Sequence, residues 1–128
     1  MQELHLFEYA VIRVVPRVER EEFLNVGVIV YCARKKYLTA AYVLDEGRLI
    51  SFSPGLDIPE IKSHLDSLMK ICAGGKNSGP IGQLDSPSRF RWLTALRSTV
   101  IQTSRVHPGF CGDPDKKLES LLKEQVYQ

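Results

Sequence analysis

The segment FEYAVIRVVPRVEREEFLNVGVIVYCAR (residues 7–34) contains two long apolar runs separated by a charged connection. Valine, isoleucine and aromatic residues dominate both runs, 7–15 and 26–34, and this composition is typical of β-strands. Pro16 ends the first run, because proline cannot continue a strand ladder. The segment therefore predicts two neighbouring strands, and these strands decide the fold.

Neither strand has a polar face. Sorting the second run with a period of two places Val26, Val28 and Val30 on one side, opposite Ile29 and Tyr31. Both alternating sets of the first run are apolar as well. Strands of this kind are buried on both faces, so we expect other elements to cover each side of the sheet.

Three further segments are predicted to be strands. The run 37–45 follows the short basic turn Lys35-Lys36, and this spacing predicts an antiparallel hairpin with 26–34. The run 48–53 is predicted to be a shorter fourth strand. The run 99–106 is more polar, which favours a position at an edge of the sheet.

Three segments of the second half begin with helix-start signals. Asp57-Ile58-Pro59-Glu60 resembles a capping box, and apolar residues then follow at helical spacing up to Gly74-Gly75. Ser86-Pro87 predicts a second helix with Ser86 as its N-cap, and Asp113-Pro114 predicts a third. The fold class is therefore α+β, with a mostly antiparallel four- to five-stranded sheet packed with about three helices.

Three helices would cover one face of the sheet well and the second face only in part. This mismatch predicts a homodimer that buries the remainder. The 128 residues are predicted to form a single domain spanning residues 1–128, because two separate cores would each be too small.

The composition excludes several classes of protein. A net charge of +2 does not suggest a dedicated nucleic-acid binder. There is neither a secretory signal pattern nor an apolar run of roughly 18 residues that would cross a membrane. The cysteines are odd in number and form no CxxC pair, so reduced thiols and a cytoplasmic location are predicted. As an alternative, Cys111, which is predicted to lie in a loop, is a reactive thiol.

The charged connection raises the question of a binding site. Asn25 and Gly27 lie at the start of the second strand, where asparagine can stabilise a turn and glycine indicates a bulge or a close backbone approach. A structural turn explains both residues. The functional alternative places Glu22 and Asn25 at the rim of a binding surface beside Arg13. We expect Glu22 to pair with Arg13 or with an arginine of the second half.

Arginines also cluster in the second half, around SRFRWLTALRS (residues 88–98). Arg91, Arg97 and Arg105 offer planar donors for carboxylates or phosphates, and Trp92 is the only tryptophan. Arginine beside aromatic residues is typical of nucleic-acid surfaces and of protein–protein hot spots. A solvated helix face is the structural alternative.

No motif of high catalytic specificity is present. His5, His64 and His107 have no metal-ligand spacing among themselves or with the cysteines, so no metal and no cofactor are predicted. His64 lies four residues after Glu60, which predicts a pair on a helix surface. No catalytic residue is assigned from the sequence.

Two segments, YAVIRVVPRVEREEFLNVGVIVYC and SPSRFRWLTALRSTVIQTSRVHPGF, resemble domain-of-unknown-function family 3037, a family of small bacterial proteins. The most specific part is Glu22-Phe23-Leu24-Asn25-Val26-Gly27. The resemblance implies no activity and no ligand residues. It implies a protein partner or a shared regulatory role, with a HipA-like kinase as the expected partner.

Three functional hypotheses follow. The leading one is a non-catalytic protein-interaction module that binds a protein partner or a second copy of itself. The second is a nucleotide or nucleic-acid binder that uses the arginines. The third is a small enzyme with Glu22 as general base and Asn25 as the orienting group. The partner-binding or ligand-binding residues predicted from the sequence are Arg13, Glu22, Asn25, Arg91, Arg97 and Arg105.

Overall fold

One antiparallel sheet organises the computed structural model, which describes residues 3–97 and 99–127. Within these residues five strands and five α-helices are present, so the α+β class and the antiparallel sheet are confirmed, whereas the expected number of about three helices is too low. The strands are β1 (His5–Val14), β2 (Leu24–Cys32), β3 (Tyr37–Tyr42), β4 (Ile101–Thr103) and β5 (His107–Cys111).

Strand β1 lies in the middle of the sheet. It pairs with β2 along one edge, and β3 follows β2 as the outer strand. Along its other edge β1 pairs first with β4 and then with β5. Ser104 bridges the gap between these two short strands, because its hydroxyl accepts a hydrogen bond from the backbone N–H of Val11 at 2.8 Å. The segment 101–111 therefore acts as one interrupted edge strand.

The segment 48–53 was predicted to be a strand, but residues 48–52 belong to a helix, α1 (Glu46–Phe52), and Ser53 follows as its C-cap. Asp45 precedes this helix, and its carboxylate accepts a hydrogen bond from the backbone N–H of Arg48 at 3.0 Å. Such an N-cap satisfies a backbone donor that a helix otherwise leaves unpaired. Leu49 is the buried residue of the helix. The capping residue, rather than the apolar pattern, decides this segment.

The prediction of a strand over 99–106 is confirmed at the edge of the sheet, but regular pairing there is limited to β4, and β5 was not expected. Pro108 and Gly109 disfavour a strand on sequence grounds. Gly109 pairs with Phe7, and a Cβ atom added to it would lie 2.7 Å from the Phe7 ring. The aromatic ring thus covers the glycine across the strands. Cys111 consequently lies buried in a strand, not in a loop.

Four more helices complete the described fold: α2 (Ile58–Ala73), the short α3 (Gly79–Gly82), α4 (Ser86–Leu93) and α5 (Pro114–Gln125). Asp57 and Asp113 are the predicted N-caps of α2 and α5, and both are confirmed. For α4 the prediction of Ser86 is wrong by one residue. Asp85 accepts from the backbone N–H of Ser88 at 2.9 Å, and Ser86 is the first helical residue.

Helices cover both faces of the sheet, as the apolar strands predicted. On one face, α1, α2 and α4 pack against Ile12 and Ile29. On the other, α5 packs against Val28 and Val30. Because α5 comes from the same chain, a second copy is not needed to bury this face. No helix among the described residues is long and apolar enough to cross a membrane.

A bulge separates the two ends of the β1–β2 pair. Ile12 pairs with Gly27, but the next residue, Arg13, pairs with Asn25, so Val26 has no partner in β1. Val26 therefore packs on the face of Ile29, not on the face of Val28 and Val30 that strict alternation predicted.

The close backbone approach predicted at Gly27 is also confirmed. A Cβ atom added there would lie 2.5 Å from the carbonyl oxygen of Ala41 and 2.8 Å from the Cβ atom of Tyr42. Real Cβ atoms are not found so close to backbone atoms, so glycine is required for β3 to pack beside β2 at this position.

Candidate functional site

Large apolar side chains are uncovered at the end of the sheet where β1 begins. Leu4, Leu6 and Phe110 are 60%, 55% and 67% exposed. Leu6 and Phe110 are partners in the β1–β5 register, so their side chains lie on the same face. Scattered exposed leucines are normal, but neighbouring large apolar residues on one face mark an interaction surface.

A groove of about 290 Å³ runs beside these residues, and we call it the sheet-end groove. Its lining includes Leu4, Leu6, Glu8, Tyr31 and Arg34. Phe110 adjoins it as the cross-strand neighbour of Leu6.

The floor of the groove is anchored in the core. Tyr31 is buried, and its ring stacks on Phe90 of α4 with 5.2 Å between the ring centroids and 25° between the planes. Phe90 is fully buried. Stacked aromatic pairs of this kind contribute roughly 0.5–1.5 kcal/mol beyond their buried area. The groove therefore has a firm floor on which a partner can pack without reordering the sheet.

Two ion pairs form the rim of the groove. Arg91 of α4 donates two hydrogen bonds to the carboxylate of Glu8, at 2.9 and 3.2 Å. These bonds raise the pKa of Arg91 above its ordinary value. Arg34 lies 3.7 Å from Glu3. An apolar centre bordered by charged groups is the usual anatomy of a protein–protein interface.

A second feature lies at the opposite end of β1. The guanidinium of Arg13 stacks on the ring of Phe23, 3.9 Å from the ring centroid. Both residues line a pocket of about 250 Å³, which we call the Arg13 pocket. Its remaining lining residues are Val15, Val18, Glu21 and Gln102.

Arg13 is a charged group without a polar partner among residues 3–97 and 99–127. Its Nε atom is buried and has no hydrogen-bond acceptor, and the side chain forms no ion pair. Burial lowers the pKa of Arg13 because removal from water disfavours the charged form.

Asn25 and Glu22 have structural partners. The side-chain amide of Asn25 donates to the carbonyl oxygen of Gln125 at 3.1 Å, which ties β2 to the end of α5. The Oδ1 atom of Asn25 is buried without a partner. Glu22 pairs with Arg20 at 2.5 Å. We had expected Glu22 to pair with Arg13 or with an arginine of the second half, and this prediction is wrong.

The remaining arginines do not converge on one site. Arg97 donates to the carbonyl oxygens of Leu93 and Trp92 and lies 4.1 Å from the centroid of the Trp92 ring, so it caps its own helix. Arg105 is exposed in the link between β4 and β5. Of the residues predicted from the sequence, the structure pairs Arg13 with Asn25 in register and places Arg91 at the far end of β1.

Sequence reasoning missed the apolar part of the groove. Leu4 and Leu6 lie near the chain start, and Phe110 lies in the segment predicted to be a loop. They meet only because β5 pairs with β1, and the Pro108-Gly109 sequence hides that pairing. The stacking of Phe23 on Arg13 was also missed, because it joins two residues that are ten positions apart.

The described residues contain no metal-binding cluster, and their thiols are buried. Among them no group of three histidine, cysteine or acidic side chains could hold a metal ion. The three cysteines are free and buried. Burial is the main reason that the pKa of Cys111 is raised, which disfavours the reactive thiolate. His64 lies 3.6 Å from Glu60 on α2, so the predicted helix-surface pair is confirmed.

Comparison with known proteins identifies a family for the chain. A family model described as protein of unknown function (DUF3037) matches residues 9–126, which is nearly the whole sequence. The resemblance inferred from the strand and helix motifs is therefore confirmed. The chain matches no curated protein and no solved structure.

Proposed function

The chain belongs to the family described as protein of unknown function (DUF3037), and we propose that it is a non-catalytic module that binds a protein partner through the sheet-end groove. The observation that carries this proposal is the cross-strand pair of Leu6 and Phe110, each more than half exposed on a sheet that is otherwise covered. Burying such residues against a partner gains free energy in proportion to the apolar area removed from water.

The surroundings of the pair support a specific interface. Binding hot spots are rich in aromatic residues and arginine and are bordered by polar groups that exclude water. Tyr31 supplies a firm aromatic floor, and Arg91 and Arg34 supply charged groups at the rim. The partner is a second copy of this chain or a different protein, and a HipA-like kinase is the first candidate to test.

The other two hypotheses gain no support from the geometry. A nucleic-acid surface needs several free cations along one groove, but Arg91 is paired with Glu8 and Arg97 with backbone carbonyls. An enzyme that used Glu22 as general base would need this carboxylate in a cleft with a raised pKa. Glu22 lines an open pocket of about 320 Å³, but its carboxylate is exposed and already pairs with Arg20, a cation that favours the charged form.

The test begins with the mass of the native particle. The purified protein is measured by size-exclusion chromatography with multi-angle light scattering, followed by native mass spectrometry of the same peak. If it is a dimer, Leu6→Glu should shift it to the monomer. If it is a monomer, a tagged copy isolated from its own cells should retain a stoichiometric partner, and Leu6→Glu should release it.

The matched control is Leu96→Glu, because Leu96 is fully exposed and does not line the groove. It introduces the same charge and should leave the complex intact. Circular dichroism checks that both variants are folded. A folded Leu6→Glu protein that keeps its partner, or a wild-type monomer without any partner, would rule out the proposal.

A further inference from the structure

The guanidinium of Arg13 is partly removed from water, and no described residue offers it a polar partner. Moving a cation out of water is expensive unless another charge or a set of hydrogen bonds compensates it. The Nε–H of Arg13 is buried without an acceptor, and no carboxylate of the described chain lies within ion-pair distance. Stacking on Phe23 recovers only part of this cost.

Water can satisfy the two buried polar atoms at this position. Arg13 and Asn25 are register partners, and each has one buried polar atom without a partner, a donor in Arg13 and an acceptor in Asn25. A water molecule that bridged them would satisfy both atoms. It would leave the positive charge uncompensated, however, beside a pocket of about 250 Å³.

We propose that the Arg13 pocket binds a carboxylate, held by the guanidinium of Arg13 where it stacks on Phe23. The planar guanidinium matches the two oxygens of a carboxylate. At roughly 30 Å³ per water, the pocket has room for about eight waters or a small organic acid. This site goes beyond the proposed function, because it lies at the opposite end of β1 and on the opposite face from the sheet-end groove.

The lining favours a singly charged ligand over phosphate. Arg13 is the only cation among the lining residues, and Val15, Val18 and Phe23 make much of the wall apolar. A phosphate would bring more charge than one guanidinium balances. Glu21 also lines the pocket and repels anions, so the binding should be weak, and it should strengthen when Glu21 is neutralised.

The carboxylate has two sources, a free organic acid or an acidic side chain of a peptide. Both are tested by ¹H–¹⁵N NMR of the arginine Nε–Hε groups in the intact protein at constant ionic strength. The probes are acetate, inorganic phosphate and the peptide acetyl-Ala-Glu-Ala-amide, with sodium chloride as the reference. We expect the Arg13 signal to shift and saturate at millimolar carboxylate and to ignore chloride.

Three variants make the test specific, with binding followed through the backbone amide signals of Phe23 and Gln102. Arg13→Lys keeps the charge but loses the planar donors, so it should abolish saturable binding. Arg17→Lys changes a nearby exposed arginine that does not line the pocket, and it should bind as the wild type does. Glu21→Gln should bind acetate about threefold more tightly, because it removes a like charge that water screens at this exposed position.

Each outcome decides the assignment. Saturation by acetate at lower concentration than by the peptide assigns the site to free acids, and the reverse order assigns it to acidic peptides. Tighter binding of phosphate than of acetate would overturn the choice of carboxylate. An Arg13 signal that no carboxylate moves would mean that water alone occupies the pocket, and the proposal would be wrong.

Discussion

An arginine with an aromatic neighbour lies at each end of β1, and the two arginines have different polar partners. Arg91 lies 5.6 Å from the ring centroid of Phe90, and Arg13 lies 3.9 Å from that of Phe23. Arg91 donates two hydrogen bonds to Glu8, whereas Arg13 has no ion pair among the residues that the structure describes. Leu6 and Arg13 are seven residues apart in the strand, about 23 Å at ~3.3 Å per residue.

The difference shows which kind of interaction remains available to a partner at each end of β1. At the groove end the charges compensate each other, so the remaining binding capacity lies in the apolar side chains of Leu6 and Phe110. At the pocket end the apolar residues already pack on Arg13, and the remaining capacity is its charge. One strand thus displays two surfaces with different chemistry, and variants can test each of them separately.

The largest expected effect on stability comes from Phe90, whose ring supports the floor of the sheet-end groove. Phe90→Ala removes a fully buried ring beneath Tyr31 and leaves a cavity there. We expect a loss of about 3–5 kcal/mol in the free energy of unfolding. Urea denaturation followed by circular dichroism measures it. Leu96→Ala, at a fully exposed position, should change the same quantity by no more than about 0.5 kcal/mol.

The milder variant Phe90→Leu tests whether the two ends are independent. It should move the NMR signal of the Arg91 Nε–Hε group and leave that of Arg13 unchanged, because Phe90 and the Arg13 pocket are on opposite faces of the sheet. Equal shifts at both arginines would show that the two ends respond as one unit, and the comparison would fail.

The next effect concerns the close approach at Gly27, which fixes the strand geometry at the pocket end. Gly27→Ala would bring a Cβ atom to 2.5 Å from the carbonyl oxygen of Ala41. Overpacking of this kind costs about 1–3 kcal/mol, measured by the same urea titration. Gly55→Ala is the control, since nothing lies within 4 Å of its added methyl group. A neutral Gly27→Ala would mean that the packing of β3 beside β2 does not depend on glycine.

Much of this fold could be predicted because its signals are local. The apolar runs of β1 and β2 imply burial on both faces, and Asp57 and Asp113 mark helix starts through hydrogen bonds to backbone groups only a few residues away. The errors arise where a residue far away in the sequence determines the local structure. Gly109 is tolerated in a strand because Phe7, from the start of the chain, covers it.

The candidate sites were harder to predict for the same reason. Arg13 could be singled out from its place at a strand end, but its lack of an ion pair depends on Glu22 turning towards Arg20. The sheet-end groove requires Leu6 to meet Phe110 from the opposite end of the chain. Periodicity shows that a residue is apolar; it does not show that the helices stop short of covering it.

Two methionine variants compare the two arginines directly, and we expect them to change the free energy of unfolding less than Gly27→Ala does. Arg91→Met breaks two hydrogen bonds to Glu8, and we expect a loss of about 0.5–1 kcal/mol at low salt because the pair is largely exposed. Arg13→Met should cause no loss, since it removes an uncompensated charge and methionine can still pack on Phe23. Urea titrations at low salt and in ~1 M sodium chloride measure both variants.

Salt distinguishes the two cases further. Screening should shrink the effect of Arg91→Met and leave that of Arg13→Met unchanged. If Arg13→Met is the more destabilising of the two, then Arg13 has a compensating partner in the folded protein, and the contrast between the two ends disappears.

The last prediction concerns the reactivity of a buried cysteine at the groove end of β1. Cys111 is the β5 partner of His5 and is buried, although its neighbour Phe110 is exposed. Since burial raises the pKa of Cys111, its thiolate forms only at a higher pH than in an unfolded chain.

We expect alkylation of Cys111 by iodoacetamide at pH 8, mapped by mass spectrometry, to be at least about tenfold slower than in urea. The rate should rise with pH, because the thiolate is the reactive form and the raised pKa moves its formation to higher pH. Rapid labelling of the folded protein would instead mean that β5 detaches from β1, and the cross-strand pair of Leu6 and Phe110 could then not form a stable binding surface.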